Sequence, residues 1–342
     1  MTATLTVCQA GPLMSIQDFG RPGYRASGMT LGGAADTLAL HEGAILLGQD
    51  PTLATIEMVG AGGTFDADAD LRIALTGAAM GATLDGAPLA WNASHAMPAG
   101  SRLIIGGATS GTYGYLHIGG GIDLPVQMGA RSAHFGAGLG RALKAGDQLP
   151  IGTDAGAGTG TALPRDTRFD GGVLRVLPSI QTERFEADTK QRFEATTFTR
   201  DARANRRGVR MDQSGDGFFA SDQLSILSEV IAIGDIQITG DGAPFVLLCE
   251  CQTTGGYPRI GTVIPADLPR VAQAPAGAEI RFEFITLEQA IAIEQRAAAD
   301  LKALPGKRYP LVRDPAEIRD LLRYQLVGGA VSATQNPFEK DA

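Results

Sequence analysis

The chain has 342 residues, 44% of them hydrophobic and 19% charged, and carries a formal net charge of -8. That balance suits a folded protein with a sizeable core and excludes a disordered chain. The acidic sign, with no basic patch, excludes a broad nucleic-acid or anionic-membrane surface, and the length exceeds a typical single domain.

The N-terminus, Met1–Cys8, has no basic segment and no long apolar core, so no signal peptide is expected. No apolar run approaches the roughly twenty residues that span a bilayer. Three cysteines do not pair evenly, which points to a reducing, cytoplasmic location. Cys249 and Cys251 read as small core residues on one face of a strand. His41, His95, His117 and His134 show no metal-ligand spacing, and no metal is expected.

In chain order, Leu5–Val7 reads as a strand. The stretch from Ser15 to Arg25 mixes Gln17, Asp18, Gly20, Arg21, Pro22, Gly23 and Tyr24, the composition of a structured loop. Asp18 and Arg21 either pair with each other, or Arg21 offers its planar donor fork to a carboxylate or phosphate. Gly32 and Gly33 precede Asp36, which reads as the N-cap of a helix that stops at Gly48. Two glycines ahead of a helix also make an anion-binding turn. From Ile56 to Ile151, short apolar runs alternate with glycine turns in the rhythm of a barrel or sandwich. Turns after strands fall at Thr76-Gly77 and at Gly119-Gly120-Gly121, and Arg131-Ser132 adds a second guanidinium. Trp91 reads as a core or lid residue.

Residues 152–164 are small and flexible in composition and read as a linker. It divides a β-rich N-terminal subdomain, 1–151, from a second subdomain, 165–305, with a C-terminal helix and tail over 306–342. A strand at Val173–Leu177, a helical piece around Thr182–Arg192, Asn205-Arg206-Arg207, Leu227-Ser228-Glu229 and the strand-like Asp235–Ile238 follow. The apolar run Phe245–Cys249 ends in Gln252-Thr253-Thr254-Gly255-Gly256-Tyr257-Pro258, which is either an ordinary strand-to-strand turn or a site. Its glycines allow positive φ and a concave anion nest. Thr286 with Gln289 forms a capping box, and Asp314-Pro315-Ala316-Glu317 starts a second helix carrying Ile318, Leu321 and Leu322.

The segments SIQDFGRPGYRASG, LGGAAD, ALTGA, GGGIDLP with GARS, NRRGVR, LSE, GDIQITGDG and QTTGGYPRIGTVIPADLPRVAQ occur in this order. Together they resemble the biotin-dependent carboxyltransferase family over roughly residues 5 to 300. That family includes the C-type component of bacterial 5-oxoprolinase, KipA, and the carboxyltransferase part of urea carboxylase. The resemblance implies a mainly β fold of two tandem cyclophilin-like β-barrel subdomains with a few helices, sharing a cleft. It also implies a B-type (KipI-like) companion and an A-type subunit. The chain departs from many relatives at Gly32, where they have serine, and at Ala133, where they have threonine.

Three functions are open on these residues. One is a subunit of an ATP-dependent 5-oxoprolinase, with a small amide or lactam substrate and ATP bound here or with the partner. The second is carboxyl transfer from carboxybiotin to urea or a related amide, with biotin carried by another protein because no Met-Lys-Met site is present. The third is a non-catalytic regulator that sequesters its KipI-like partner. The candidate catalytic residues are Asp18, Arg21, Gln252 and Thr254. Candidate substrate- or phosphate-binding residues in the first half are Gln17, Tyr24, Gly32, Gly33, Asp36, Thr76, Gly120, Gly121, Arg131 and Ser132. In the second half they are Arg206, Glu229, Thr253, Gly255, Gly256 and Tyr257. The Gln17–Tyr24 and Gln252–Pro258 loops are expected to meet across one cleft between the halves.

Overall fold

The computed structural model describes residues 3–156, 158–221 and 227–312. The helix expected from Asp314 lies outside the described residues. The mainly β expectation holds: four α-helices accompany twenty strands among the described residues.

The first half is an 11-stranded sheet built around two long antiparallel strands, Leu71–Leu84 and Arg102–Ile118. Its inner face alternates with its outer one, as a half-buried sheet requires. Leu5 and Val7 pack against Ile56, Phe65, Ile73 and Leu116, all fully buried. Helix α1, Thr37–Leu47, packs Leu46 and Leu47 on Ala74 of that sheet. The Asp36 carboxylate caps it, accepting the Leu38 and Ala39 N–H groups at 3.1 and 3.3 Å, a feature worth about 1 kcal/mol. Gly48 ends it at φ 63°, a left-handed conformation that favours glycine.

The second half closes as a seven-strand barrel. Its order is Gly172–Leu177, Arg259–Val263, Asp235–Ile238, Pro244–Leu247, Gly208–Asp212, Phe198–Asn205 and Glu279–Phe284. The last strand returns to the first in parallel. Leu174, Val176, Ile236, Ile238, Val246 and Ile280 fill its interior. Helix α2, Ala187–Ala195, adds Phe193 to that core, stacking on Phe282 with centroids 4.8 Å apart. Helix α3 spans Leu268–Gln273, and α4, Leu287–Ala303, starts on the expected capping box of Thr286 and Gln289.

Residues 152–164 are not a free tether. Asp154 takes two hydrogen bonds from Arg72, at 2.7 and 2.6 Å, and Thr161–Ala162 forms a strand paired with Ala93 and with Tyr309–Pro310. Small, glycine-rich composition here serves close packing against the first half: a Cβ at Gly152 would run into the backbone of Gly120.

The two halves share one seam. Ala34, Ala39, Leu40, Tyr113 and Tyr115 of the first join the apolar core of the barrel. Arg206 crosses the seam, donating to Glu57 and the Gly33 carbonyl of the first half and to Glu250 of the second at 2.6 Å. Arg168 donates to Asp36 at 2.8 Å and to both oxygens of Glu42 at 3.0 and 2.6 Å. Gln273 of α3 reaches Asp36 at 2.8 Å. Buried charges persist only when paired in this way.

Candidate functional site at the seam

Several expected site residues turn out to hold the seam and its loops together. Arg21 is 2% exposed, and its guanidinium is consumed by its own half. It donates to the Gln127 carbonyl at 2.9 Å, to Ser132 Oγ at 3.1 Å, and to the Ser132 and Ala130 carbonyls at 2.6 and 3.4 Å. No donor fork remains for a ligand. Asp18 does not pair with Arg21; it accepts the Gly20 N–H at 2.8 Å and the Arg131 and Ser132 N–H groups at 2.7 and 3.3 Å. Gln17, fully buried, donates to Ser15 Oγ at 2.9 Å and to the Ala133 carbonyl at 3.3 Å. Tyr24 is half-buried, its carbonyl accepting the Ser27 and Met29 N–H groups.

Arg131 binds the Leu124 carbonyl and Asp123, both at 2.7 Å, and with Ser132 lines a cavity of about 470 Å³ in the first half. That cavity does not include the Gln252–Tyr257 loop. Thr76 is buried against His117 at 2.8 Å and the Ala39 carbonyl at 3.0 Å. Gly120 and Gly121 form a left-handed turn whose N–H at Gly120 is taken by Gln49 at 3.0 Å. Asp36 and Arg206 are spent on the ion pairs described above. For Arg21, Asp18, Asp36, Thr76 and Arg206 the reason is common: a polar group in a close-packed seam is retained when the surrounding protein satisfies it, so a ligand would find it occupied.

No hydrogen bond joins the Gln17–Tyr24 loop to the Gln252–Pro258 loop among the described residues; the halves meet beside them instead. Gly32 donates to the Cys249 carbonyl at 3.0 Å, and Thr30 Oγ1 donates to the Cys251 carbonyl at 2.9 Å. Gly32 and Gly33 adopt φ of 62° and 77°, and a Cβ at Gly33 would lie 2.6 Å from the Gly20 nitrogen. Buried His134 accepts the Ala137 N–H on Nδ1 at 3.2 Å, so its proton sits on Nε2, facing Thr30 Oγ1 at 3.2 Å. Burial holds the His134 pKa below its usual value and keeps the ring neutral. The 3.9 Å approach of Glu250 to Nδ1 is therefore no ion pair.

Groups free to meet a ligand lie just beyond this contact. Strands Glu229–Val230 and Thr254–Gly255 pair as a two-stranded ribbon on the outside of the barrel. Glu229 is not a free carboxylate; it anchors the ribbon, accepting from Arg259 at 2.7 Å and Gln181 at 2.8 Å. Thr253 supports it by accepting the Ile231 N–H at 3.1 Å. Neither Gly255 nor Gly256 has positive φ, so the left-handed turn and nest expected there do not form. Gly255 is glycine for space: a Cβ would collide with Gln237 Nε2.

Beneath the ribbon is a cavity of about 240 Å³. Its apolar side is Ile231, Phe245 and Leu247, and its polar side is Arg207, Gln237, Gln252 and Tyr257. Arg207, Gln252 and Tyr257 are exposed, and among the described residues no hydrogen bond or ion pair engages their side chains. The exposed Thr254 hydroxyl is likewise uncommitted. No carboxylate lines the cavity, and burial pushes the lining Cys251 thiol up to about 11, away from nucleophilic use. The lining offers donors and acceptors to a small polar molecule and holds neither a carboxylate nor a histidine.

A larger cavity of about 630 Å³ lies between α1 and α4, but Glu42 on its wall is already tied to Arg168. Arg207 and Gln237 escaped the sequence reading. Gln237 had a signal: a lone amide between Ile236 and Ile238 in an alternating strand.

Residues 27–284 match the carboxyltransferase domain, subdomain A and B. The chain is 34% identical over 290 residues to a Haemophilus influenzae protein whose name makes it the C-type component of 5-oxoprolinase, covering 82% of this chain and 91% of that one. It is 33% identical over 303 residues to the Escherichia coli protein of the same name, covering 85% and 94%. Similarity to the urea amidolyase of Saccharomyces cerevisiae, 26% over 326 residues, covers 87% of this chain and 17% of that one. The solved Kluyveromyces lactis urea carboxylase shares the fold at a TM-score of 0.80 and 23% identity, with 92% of this chain and 31% of that chain aligned. With its seam, its barrel and this match over most of its length, the chain belongs to the carboxyltransferase domain family, subdomains A and B together.

Proposed function

We propose that this chain is the C-type component of an ATP-dependent 5-oxoprolinase, acting with a B-type (KipI-like) subunit and an A-type subunit on a small lactam. The observation that carries the reading is the extent of the match. The chain covers 91% and 94% of two proteins that bear the name of the C-type component of 5-oxoprolinase, against 17% of a urea amidolyase. The ribbon pocket suits such a substrate: Arg207 for a carboxylate, Gln252 and Tyr257 for an amide, and an apolar wall for ring methylenes.

Opening a stable lactam is uphill, and ATP supplies the activation of the amide oxygen. The pocket does not fit ATP. Its 240 Å³ lies below the roughly 300–1,000 Å³ of sites for larger ligands, and it has no carboxylate to hold a nucleotide's metal ion. Nucleotide and proton-transfer groups are therefore assigned to the partner subunits, and this chain binds and orients the lactam.

Carboxyl transfer is the second reading, favoured by the family match and the fold shared with a urea carboxylase. Biotin would then arrive on another protein. The deciding experiment mixes this chain with its candidate A- and B-type partners and measures ATP-dependent release of glutamate from 5-oxoproline. No turnover with both partners, together with urea-dependent bicarbonate incorporation in the presence of a biotinyl carrier, would overturn the first reading.

A further inference from the structure

Gln237 holds an amide that the protein itself does not use. In the strand Asp235–Ile238, Ile236 and Ile238 fill the barrel, so Asp235 and Gln237 point outward. Asp235 is fully engaged there, accepting from Ala232 at 2.7 Å, Thr262 at 2.6 Å and Arg259 at 3.4 Å. Gln237 is 7% exposed, yet its Nε2 has no partner. Its Oε1 has none either among the described residues. Leaving a buried donor unmade is unfavourable, and native proteins retain few such groups without a reason. The side chains of Gln17, Asn92 and Arg200 also carry an unpartnered buried atom, but only Gln237 lines the ribbon cavity.

The neighbourhood is arranged around this amide. Gly255 has an ordinary backbone conformation, so the absence of its Cβ serves the space beside Gln237 Nε2. Arg207, Gln252 and Tyr257, all uncommitted, line the same cavity. A primary amide side chain presents a donor and an acceptor side by side. That edge is complementary to an amide whose N–H and C=O lie on the same side, which is the geometry of a lactam or a urea. An open-chain amide, whose N–H and C=O are trans, offers only one of the two groups at a time.

We propose that Gln237 is the specificity-determining residue of the ribbon pocket. Its Nε2 donates to the carbonyl oxygen, and its Oε1 accepts from the N–H, of a small cis amide, while Arg207 meets the ligand's carboxylate. The substrate class rests on the 5-oxoprolinase reading; the two-point recognition by Gln237 does not.

The test uses the full chain assembled with its partner subunits. Binding is measured calorimetrically for 5-oxoproline, N-methyl-5-oxoproline, 2-pyrrolidinone, proline and urea. Wild type binds 5-oxoproline at least about tenfold more tightly than its N-methyl form, which lacks the N–H, and proline binds no better than the N-methyl form. Gln237→Leu weakens 5-oxoproline and brings the two ratios to near one, a change that a purely structural role would not produce. Gln237→Met, closer in shape, serves if the leucine variant misfolds. Gly255→Ala pushes the amide aside and mimics the loss. Unchanged ratios in a folded variant, or no binding by any of the five ligands, overturn the proposal. ATP-dependent turnover with unchanged ratios would sink the role of Gln237 and leave the 5-oxoprolinase reading standing. N–H-dependent binding without turnover by any partner set would do the reverse.

Discussion

Replacing Arg21 by alanine separates two roles for the most ligand-like arginine in the sequence. In the fold its guanidinium is 2% exposed and makes bonds of 2.6 and 3.1 Å to Ser132 alone. Hydrogen bonds from a charged donor contribute about 1.5–3 kcal/mol each, so losing these two costs about 3–6 kcal/mol. The further bonds to the Gln127 and Ala130 carbonyls lie nearer solvent or are longer and add little. At roughly 2–4 °C per kcal/mol for chains of this order of size, Tm falls by about 6–24 °C. Differential scanning calorimetry measures it directly, and Arg21→Lys recovers less than half because one ammonium replaces a three-nitrogen fork. Thr254→Ala is the control: an exposed hydroxyl without a partner among the described residues, it leaves stability within about 0.5 kcal/mol. An Arg21→Ala protein that melts within 2 °C of wild type (roughly 1 kcal/mol) while losing activity would refute this reasoning and return Arg21 to the ligand.

Arg206→Met strands Glu57 and Glu250 as unpaired buried charges, a loss of about 3–5 kcal/mol, and adding Glu57→Gln and Glu250→Gln restores part of it in urea unfolding. Burial, with Asp36 and Asp166 sharing Arg168, raises the Glu42 pKa to about 7. A carboxyl whose folded pKa exceeds its unfolded value binds its proton more tightly when folded. Its stabilising contribution is therefore present below about pH 4.5 and lost as pH rises to about 7. The loss is on the order of 3 kcal/mol, and Glu42→Gln flattens that slope in a pH series of Tm values. Arg207→Ala weakens binding of a carboxylate ligand about tenfold or more without moving Tm, because this guanidinium is exposed and has no partner among the described residues; equal affinity for 5-oxoproline in the variant would exclude it from the site.

Local chemistry was legible wherever one segment decides the outcome. The Asp36 cap, the Gly48 stop and the Thr286 capping box each need only a few consecutive residues, and each forms as read. The alternation in Asp235–Ile238 marked a strand with one apolar face. The turn at Gly255-Gly256 stays open in sequence because glycine serves either a positive φ or a close approach, and sequence does not distinguish them. Here the neighbour is Gln237, eighteen positions earlier (255 - 237) and on another strand.

The sequence by itself determined a mainly β chain, both ends of α1 and the start of α4, and the set of motifs that place it in its family; the helix read around Thr182–Arg192 lies instead at Ala187–Ala195, and α3 was not read. Segments rich in Gly, Gln, Thr and Arg also stand out in the sequence against apolar strands. Which of their polar groups are free was decided only by tertiary structure. Arg21, Asp18 and Arg206 look like ligand readers in sequence, but the seam surrounds them with carbonyls, N–H groups and carboxylates that consume their bonding capacity. Gln237 looks like a strand residue, and folding covers it with a ribbon while giving it no partner among the described residues. Bonding capacity is set by neighbours distant in sequence, so a residue's type reveals what it can donate or accept and only the packed fold reveals whether that has already been spent.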